Sequence, residues 1–366
     1  MSADHVPATP VPEGRDPLAD LVAGIRPISA VALADAAAHQ GRLTKPAGAL
    51  GRLEALGCQL CAIAGSVPAP VPGAPAVAVF AGDHGVLAEG VTPWPQEVTA
   101  QMVANFCSGG AAINVLARQA GATVTVVDVG VASPLPADPM LRDRKVRAGT
   151  ANLRREPAMT ADEARRSVLI GAETAASLVA GGADLLVGGD MGIGNTTPSA
   201  AIISAVTGRP PAEITGRGTG IDDATLAHKA SVIVGALERA GGPTDPIELL
   251  AQVGGLEIGA LAGFYLGAAA AGVPAVVDGV IALAAACLAV GLAPDTVGYL
   301  VAGHRSSEPA ATAALDWLGL VPLIDLGLRL GEGSGAALAV PIVQSAAAIM
   351  AEMATFDSAG VTEKEA

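Results

Sequence analysis

Glu332 stands between two glycines in LGLRLGEGSGAALA, directly ahead of an alanine-rich run. An acid there can serve in two ways. It can be a helix-start acid, favoured by the positive end of the helix dipole. It can also be a general base that the glycines leave open to a substrate. Pattern alone leaves both open. The stretch GGDMGIGNTTPSAA, residues 188–201, is more distinctive. Gly192 and Gly194 allow a sharp turn, Asn195, Thr196 and Thr197 offer side-chain hydrogen bonds, and Pro198 suits a first helical turn. Amides at such a helix start can hold an anion, phosphate above all. A glycine turn with a threonine cap is the plain alternative. It is no Walker loop, because no Gly-Lys-Ser/Thr follows, and the G-x-G-x-x-G spacing is missing.

Three further stretches carry polar groups. GRGTGIDDATLAHKASVI offers Thr219 or Asp222 as a helix cap, with Lys229 inside the helix that follows. That lysine is either a solvated face or a phosphate partner. GHRSSEPAA sets Arg305 and two hydroxyls ahead of Pro309, as a helix cap or an anion clamp. FAGDHG ends in Asp83-His84 without His, Asp or Glu at recognisable ligand spacing, so no metal is expected and Asp83 reads as a structural hydrogen-bonding group. The loop after it, with Trp94 and two prolines, reads as a pocket wall. GEGSGA does not match the G-x-S-x-G elbow of serine hydrolases. The strand-end acidic doublet of metal-dependent activated-ribose chemistry is also missing, since VVDVGV has only Asp128.

These groups need a scaffold. Six short runs, at 76–85, 123–131, 183–190, 273–279, 296–304 and 321–327, are near-continuously apolar and stop at Gly, Asp or His. That is the pattern of parallel strands covered on both faces. Segments of helical composition lie between them, which predicts βαβ units and an α/β, mostly parallel six-stranded sheet flanked by helices. Ligands of such sheets bind beyond the carboxyl ends of the strands. Asp83, Asp190, His304 to Glu308, and Arg329 with Glu332 all fall at such ends. The expected organisation is a disordered tail over 1–16, a small helical domain from 17–72 with 340–358, and a large catalytic domain over 73–339.

Composition narrows the classes. The chain has 366 residues, 51% hydrophobic but 2% aromatic, so its core must be built from Ala, Val, Leu and Ile. A formal charge of −14 argues against a nucleic-acid partner. Cys58 and Cys61 form C-x-x-C without a second pair, which favours packing on an apolar helix over zinc. The N-terminal segment lacks the apolar core of a signal peptide. Ile258–Val277 is uncharged and long enough to span a bilayer. It is rich in Ala and Gly, contains Pro274 and has no flanking Lys or Arg, so a buried helix, a turn and a short strand fit better than a membrane span.

KPAGALGRLE, AGDHGV with GVTPWPQEVTAQM, GGDMGIGNTT, GRGTGI with HK, GHRSSEP and LGLRLGEGSGAALA follow one another in this order. In that order the chain resembles the nicotinate-nucleotide:dimethylbenzimidazole phosphoribosyltransferase family, the CobT family, over roughly residues 40 to 355. The resemblance implies transfer of the 5-phosphoribosyl group of nicotinate mononucleotide to 5,6-dimethylbenzimidazole. The products are α-ribazole 5′-phosphate and nicotinate, for the lower ligand of cobalamin. It further implies a cytoplasmic homodimer with a Rossmann-like sheet, a small helical domain and no redox cofactor.

Residue by residue, Glu332 matches the family's catalytic glutamate, a general base toward the benzimidazole nitrogen. Asp190 matches a second acidic position where glutamate also occurs, with ribose stabilisation and water ordering both open. Gly192, Gly194, Asn195, Thr196, Thr197, Lys229 and Arg305 match the region that holds the nucleotide and its phosphate. Asp83, Thr92, Gln101 and Leu330 are expected at the base pocket, Thr92 standing where serine is common. A relative using adenine or another benzimidazole is the alternative. A nucleotide-binding oxidoreductase would need a glycine fingerprint in the first βα unit, and a non-catalytic binder would have no use for the acids.

Overall fold

The structure, a computed structural model, describes residues 16–218 and 220–362. The expected tail, save Asp16, and the candidate cap Thr219 therefore lie outside the described residues. The strands are β1 (Pro75–Gly82), β2 (Thr123–Gly130), β3 (Leu141–Asp143), β4 (Leu185–Met191), β5 (Ala275–Val277) and β6 (Leu300–Ala302). They form one all-parallel sheet in the order β3-β2-β1-β4-β5-β6. Strand order reverses between β1 and β4, which opens a crevice at their carboxyl ends.

The helices before β4 are α1 (Pro17–Gly24), α2 (Ala30–Arg42), α3 (Arg52–Ala64), α4 (Glu97–Cys107), α5 (Ala112–Gln119) and α6 (Ala161–Ala180). After β4 come α7 (Thr196–Thr207), α8 (Pro211–Ile214), α9 (Asp223–Ala240), α10 (Pro246–Val253) and α11 (Leu256–Ala271). The chain closes with α12 (Val280–Leu292), α13 (Pro309–Leu318), α14 (Ser334–Glu352) and α15 (Phe356–Ala359). Helices α2 and α3 pack on each other and α3 packs on α14, whereas α1 packs on α6 and α11.

Side chains alternate across a strand, and β1 uses both faces. Ala76, Ala78 and Phe80 enter a core shared with α6, α7, α10, α11 and α12. Val77, Val79 and Ala81 enter a second core shared with α3, α4, α5 and α14. With few aromatic residues to fill space, the helices approach closely instead. A Cβ on Gly263 of α11 would lie 1.7 Å from the Val168 carbonyl oxygen of α6. Any side chain there would force the two backbones apart.

Five of the six expected strands form. The sixth, over 321–327, does not. It makes a single parallel bridge, Ile324 to His304, with main-chain hydrogen bonds from Leu323 to Ala302 and from Ile324 to Gly303 beside the end of β6. The remaining strand is β3, whose sequence LRD has no apolar run and is held by main-chain pairing to Val126–Asp128. Ile258–Val277 is the buried helix α11, a turn at Gly272 and strand β5. Helix α14 is long and apolar enough to cross a membrane by length and composition, yet it packs on α3, α5, β4 and β5. Cys58 and Cys61 are free, buried on α3, and burial raises both thiol pKa values.

Candidate active site

A cavity of about 300 Å³ opens beyond the carboxyl ends of β4, β5 and β6. One side of it is acidic. Glu332 is the one non-glycine with positive φ among the described residues, at 64°, between Gly331 at 82° and Gly333 at 89°. This left-handed turn feeds α14 and tucks the Glu332 backbone against β4. A Cβ on Gly189 would fall 2.2 Å from the Glu332 carbonyl oxygen. The carboxylate is buried, and its Oε2 accepts a hydrogen bond from the Ile113 amide of α5 at 3.1 Å. Burial raises its pKa, the Ile113 hydrogen bond pulls it back, and the charge of Asp278 adds to the rise.

Asp190, near the end of β4, lies beside this turn. Its Oδ2 accepts from Asn195 Nδ2 at 2.9 Å, while the buried Oδ1 has no protein partner. Burial pushes its pKa well above the usual carboxylate range, helped by the nearby charges of Asp278, Glu257 and Glu332. Behind it, buried His84 and Glu257 pair at 2.8 Å. Burial lowers the His84 pKa, but Glu257 and Asp83 outweigh this and the net shift is upward.

The opposite charge comes from other elements. Lys229 of α9 is buried, and its Nζ donates to Thr196 Oγ1 at 2.7 Å and to the Gly216 carbonyl at 3.2 Å. Burial lowers its pKa to about 8, against the pull of Glu308. Arg217 and Arg329 also line the cavity. Arg329 donates to the Gly218 carbonyl, and Arg217 to the Ile221 carbonyl at 2.8 Å. Val91, Trp94, Val98, Met102, Ile281 and Leu330 supply an apolar wall fit for a flat heterocycle. Among the described residues, no group of three or more His, Cys, Asp or Glu is arranged to hold a metal ion.

The comparisons fit this geometry. Residues 25–361 match a family described as phosphoribosyltransferase. A nicotinate-nucleotide–dimethylbenzimidazole phosphoribosyltransferase of Salinispora tropica is 55% identical over 357 residues, covering 93% of this chain and 98% of the relative. One from Chloroflexus aggregans is 53% identical, covering 93% of this chain and 97% of the relative. The crystal structure of CobT from Thermus thermophilus superposes with a TM-score of 0.89 at 49% identity, covering 91% of this chain and all of that one. The chain belongs to the CobT family of phosphoribosyltransferases.

Nine of the residues expected in a CobT site line the cavity: Thr92, Asp190, Gly192, Gly194, Asn195, Thr196, Lys229, Leu330 and Glu332. Four do not. Thr197 is fully buried in the first turn of α7, facing the protein interior. Asp83 is buried behind the cavity, where its Oδ2 accepts from the Ala132 amide at 2.8 Å, and burial raises its pKa. Gln101 is exposed on α4, one residue off the stripe that brings Val98 and Met102 to the cavity. Arg305 turns outward to Thr312 Oγ1 at 3.1 Å and toward Asp325 at 3.6 Å. In its place stand Arg217 and Arg329, with Ser306 and Glu308 from the same GHRSSEP motif. Glu308 Oε1 accepts from the Gly218 amide at 2.9 Å and ties the loop around Gly218 to the start of α13.

Asn195 heads α7 without a side-chain cap, because its amide reaches Asp190 instead. Asp222 caps α9 through the Thr225 amide at 2.8 Å. Asp278, at the end of β5, went unassigned in the sequence, although VVDG has the same strand-end form as FAGD and VGGD.

Proposed function

We propose that the chain transfers the 5-phosphoribosyl group of nicotinate mononucleotide to 5,6-dimethylbenzimidazole, giving α-ribazole 5′-phosphate and nicotinate. The observation that carries this is one cavity with two raised-pKa carboxyls, Glu332 and Asp190, an apolar wall, and a buried lysine beside the first turn of α7. The phosphate is assigned to Lys229, Arg329 and the first turn of α7, where cations and helix amides favour an anion. The flat base lies on the wall of Trp94, Met102 and Leu330.

Glu332 takes the N–H proton of the benzimidazole while the other ring nitrogen attacks C1′ of the ribose. The C1′–N bond to the pyridinium breaks, and its electron pair leaves with nicotinate, which needs no acid. Attack opposite the leaving group turns the β linkage into α. A raised pKa makes Glu332 a stronger base than an exposed carboxylate. Asp190 acts in its neutral form, donating from Oδ1 to a ribose hydroxyl while Oδ2 stays on Asn195. This assigns Asp190 to ribose positioning.

Trp94 and Leu330, exposed apolar residues that line the cavity, support a homodimer that covers this edge. Four free cysteines fit the reducing cytoplasm. The deciding experiment incubates the protein with nicotinate mononucleotide and a panel of bases, dimethylbenzimidazole and adenine included. Stoichiometric α-ribazole phosphate and nicotinate are expected; no ribotide with any base rejects the reading.

A further inference from the structure

The mechanism above leaves Asp278 and His304 without a task. Both are buried at the ends of neighbouring strands, and His304 lines the cavity. We infer that Asp278 is a positioning residue for Glu332, locking its left-handed backbone by accepting hydrogen bonds from the amides that follow it. The inference rests on Glu332 being the base.

The left-handed region is unfavourable for a side chain with a Cβ, and a residue stays there only where its surroundings over-determine it. Three groups hold the turn. Ser334 closes it from within, its N and Oγ reaching the Gly331 carbonyl at 3.0 and 2.7 Å. Gly189 of β4 lets the Glu332 carbonyl pack against its backbone. Asp278 is the only carboxyl group of the three, and it acts from a different strand. Its Oδ2 accepts from the Gly333 amide at 3.1 Å, and its Oδ1 from the Ala336 amide at 2.9 Å. His304 Nε2 lies 3.3 Å from the same Oδ1. The imidazole lies against the first turn of α14, where a Cβ on Gly335 would come within 2.0 Å of its Cδ2.

Both Asp278 oxygens therefore face amide donors. Asparagine offers one oxygen, and its amide nitrogen would meet an N–H head-on. One of the two Asp278 restraints on the Glu332 turn is then lost. The titratable groups around the turn are Asp278 and Asp190 at strand ends, His304 beside Asp278, Tyr265 of α11 near both acids, and the His84–Glu257 pair behind Asp190; Lys229, Arg217 and Arg329 stand elsewhere on the cavity wall. Removing the Asp278 charge also removes a cause of the raised Glu332 pKa.

A plain helix cap would look similar, so the test separates the two roles. Asp278→Asn in the full chain is expected to lower kcat by roughly 10–100-fold, as small misplacements of a catalytic group do. The KM for nicotinate mononucleotide should stay within about twofold, because its phosphate is held by Lys229 and α7. The acidic limb of kcat/KM should move to lower pH. Asp245→Ala is the control: Asp245 caps α10 through the Glu248 amide at 2.9 Å, away from the cavity. It should lower Tm without changing kcat or the pH limb. Asp278→Asn behaving like this control overturns the inference.

Asp278→Ser keeps a capping hydroxyl and serves if the asparagine variant does not fold. If the wild type makes no ribotide, the function reading fails on its own. A crystal structure of the variant then decides the positioning role. Glu332 leaving the left-handed region, with loss of the Ile113 contact, supports it; an unchanged Glu332 overturns it.

Discussion

The two sides of the cavity treat charge in opposite ways. On the Glu332 side, burial and neighbouring acids push carboxyls toward the neutral form. On the Lys229 side, burial pulls a lysine toward the neutral form, with Glu308 holding it charged. On the proposed reading the first side exchanges a proton, since a base works best when its pKa is brought toward working pH. On the same reading the second is an anion seat, where a bound phosphate would favour the charged form of Lys229. A phosphate near Lys229 raises its pKa, so binding and protonation help each other. The same physical cause, desolvation, thus serves chemistry at one end and recognition at the other.

The largest expected effect tests the proton side. Glu332→Gln keeps the shape and the Ile113 contact but cannot take a proton. We expect kcat to fall by roughly 10²–10⁴-fold with the KM for the mononucleotide little changed. Steady-state kinetics at saturating base checks this. On the proposed mechanism the ionised Glu332 is the active form in the wild type, and burial raises its pKa. Turnover should therefore decline as pH falls through that raised value, above the range of an ordinary glutamate, and the limb should vanish in Glu332→Gln.

Asp190 sharpens the contrast within the same wall. If it acts as a neutral acid, Asp190→Asn preserves both the link to Asn195 and a donor at the Oδ1 position. We expect this variant to keep most turnover, while Asp190→Ala loses about tenfold or more by leaving Asn195 unpaired in a buried site. A collapse of activity in Asp190→Asn would instead mean that Asp190 works ionised.

Lys229 breaks the other side. Lys229→Ala should raise the KM for nicotinate mononucleotide by about 10–100-fold, the size of a lost charge-assisted hydrogen bond, with a smaller change in kcat. Free Lys229 carries its charge below about pH 8 and loses it above. Hence kcat/KM for the mononucleotide should fall as pH rises through that value, whereas kcat, read on the complex, should not. The variant should lack this limb.

How legible was this in the sequence? The strands were, where both faces are buried, since β1 and β4 read as unbroken apolar runs that end in acids. β3 was not, because LRD is an edge held by main-chain bonds that composition does not reveal. The run over 321–327 misled for the converse reason: it is apolar, yet Val321 and Leu326 are 57% and 65% exposed. The turn acids stood out by their place at strand ends and between glycines, but their pattern left a structural role open; Lys229, inside α9, was a solvated face or a phosphate partner until the family resemblance set it in the nucleotide region. What the sequence could not give was direction. Gln101 and Met102 are neighbours, and only the helix phase of α4 decides which one faces the cavity. Asp278 was overlooked because its work is done on amides 55 and 58 residues later.

Arg305 is where direction matters most, and its expected effect is the smallest. From the motif alone it was a helix cap or an anion clamp, and only the family resemblance set it beside Lys229 in the phosphate region. In the structure it is partly exposed, donates to Thr312 Oγ1 and pairs loosely with Asp325, while Arg329 occupies the cavity edge. A solvent-screened contact of this kind contributes little. Arg305→Ala should therefore change kcat and KM by no more than about twofold. Arg329→Ala should raise the mononucleotide KM clearly, by about tenfold, because it removes a cation from the cavity and frees the Gly218 carbonyl. Measuring both variants in one assay decides which arginine completes the anion seat. If the ranking came out reversed, Arg305 would have to swing inward when substrate binds, and the charge division between the two walls would be a property of the liganded protein alone.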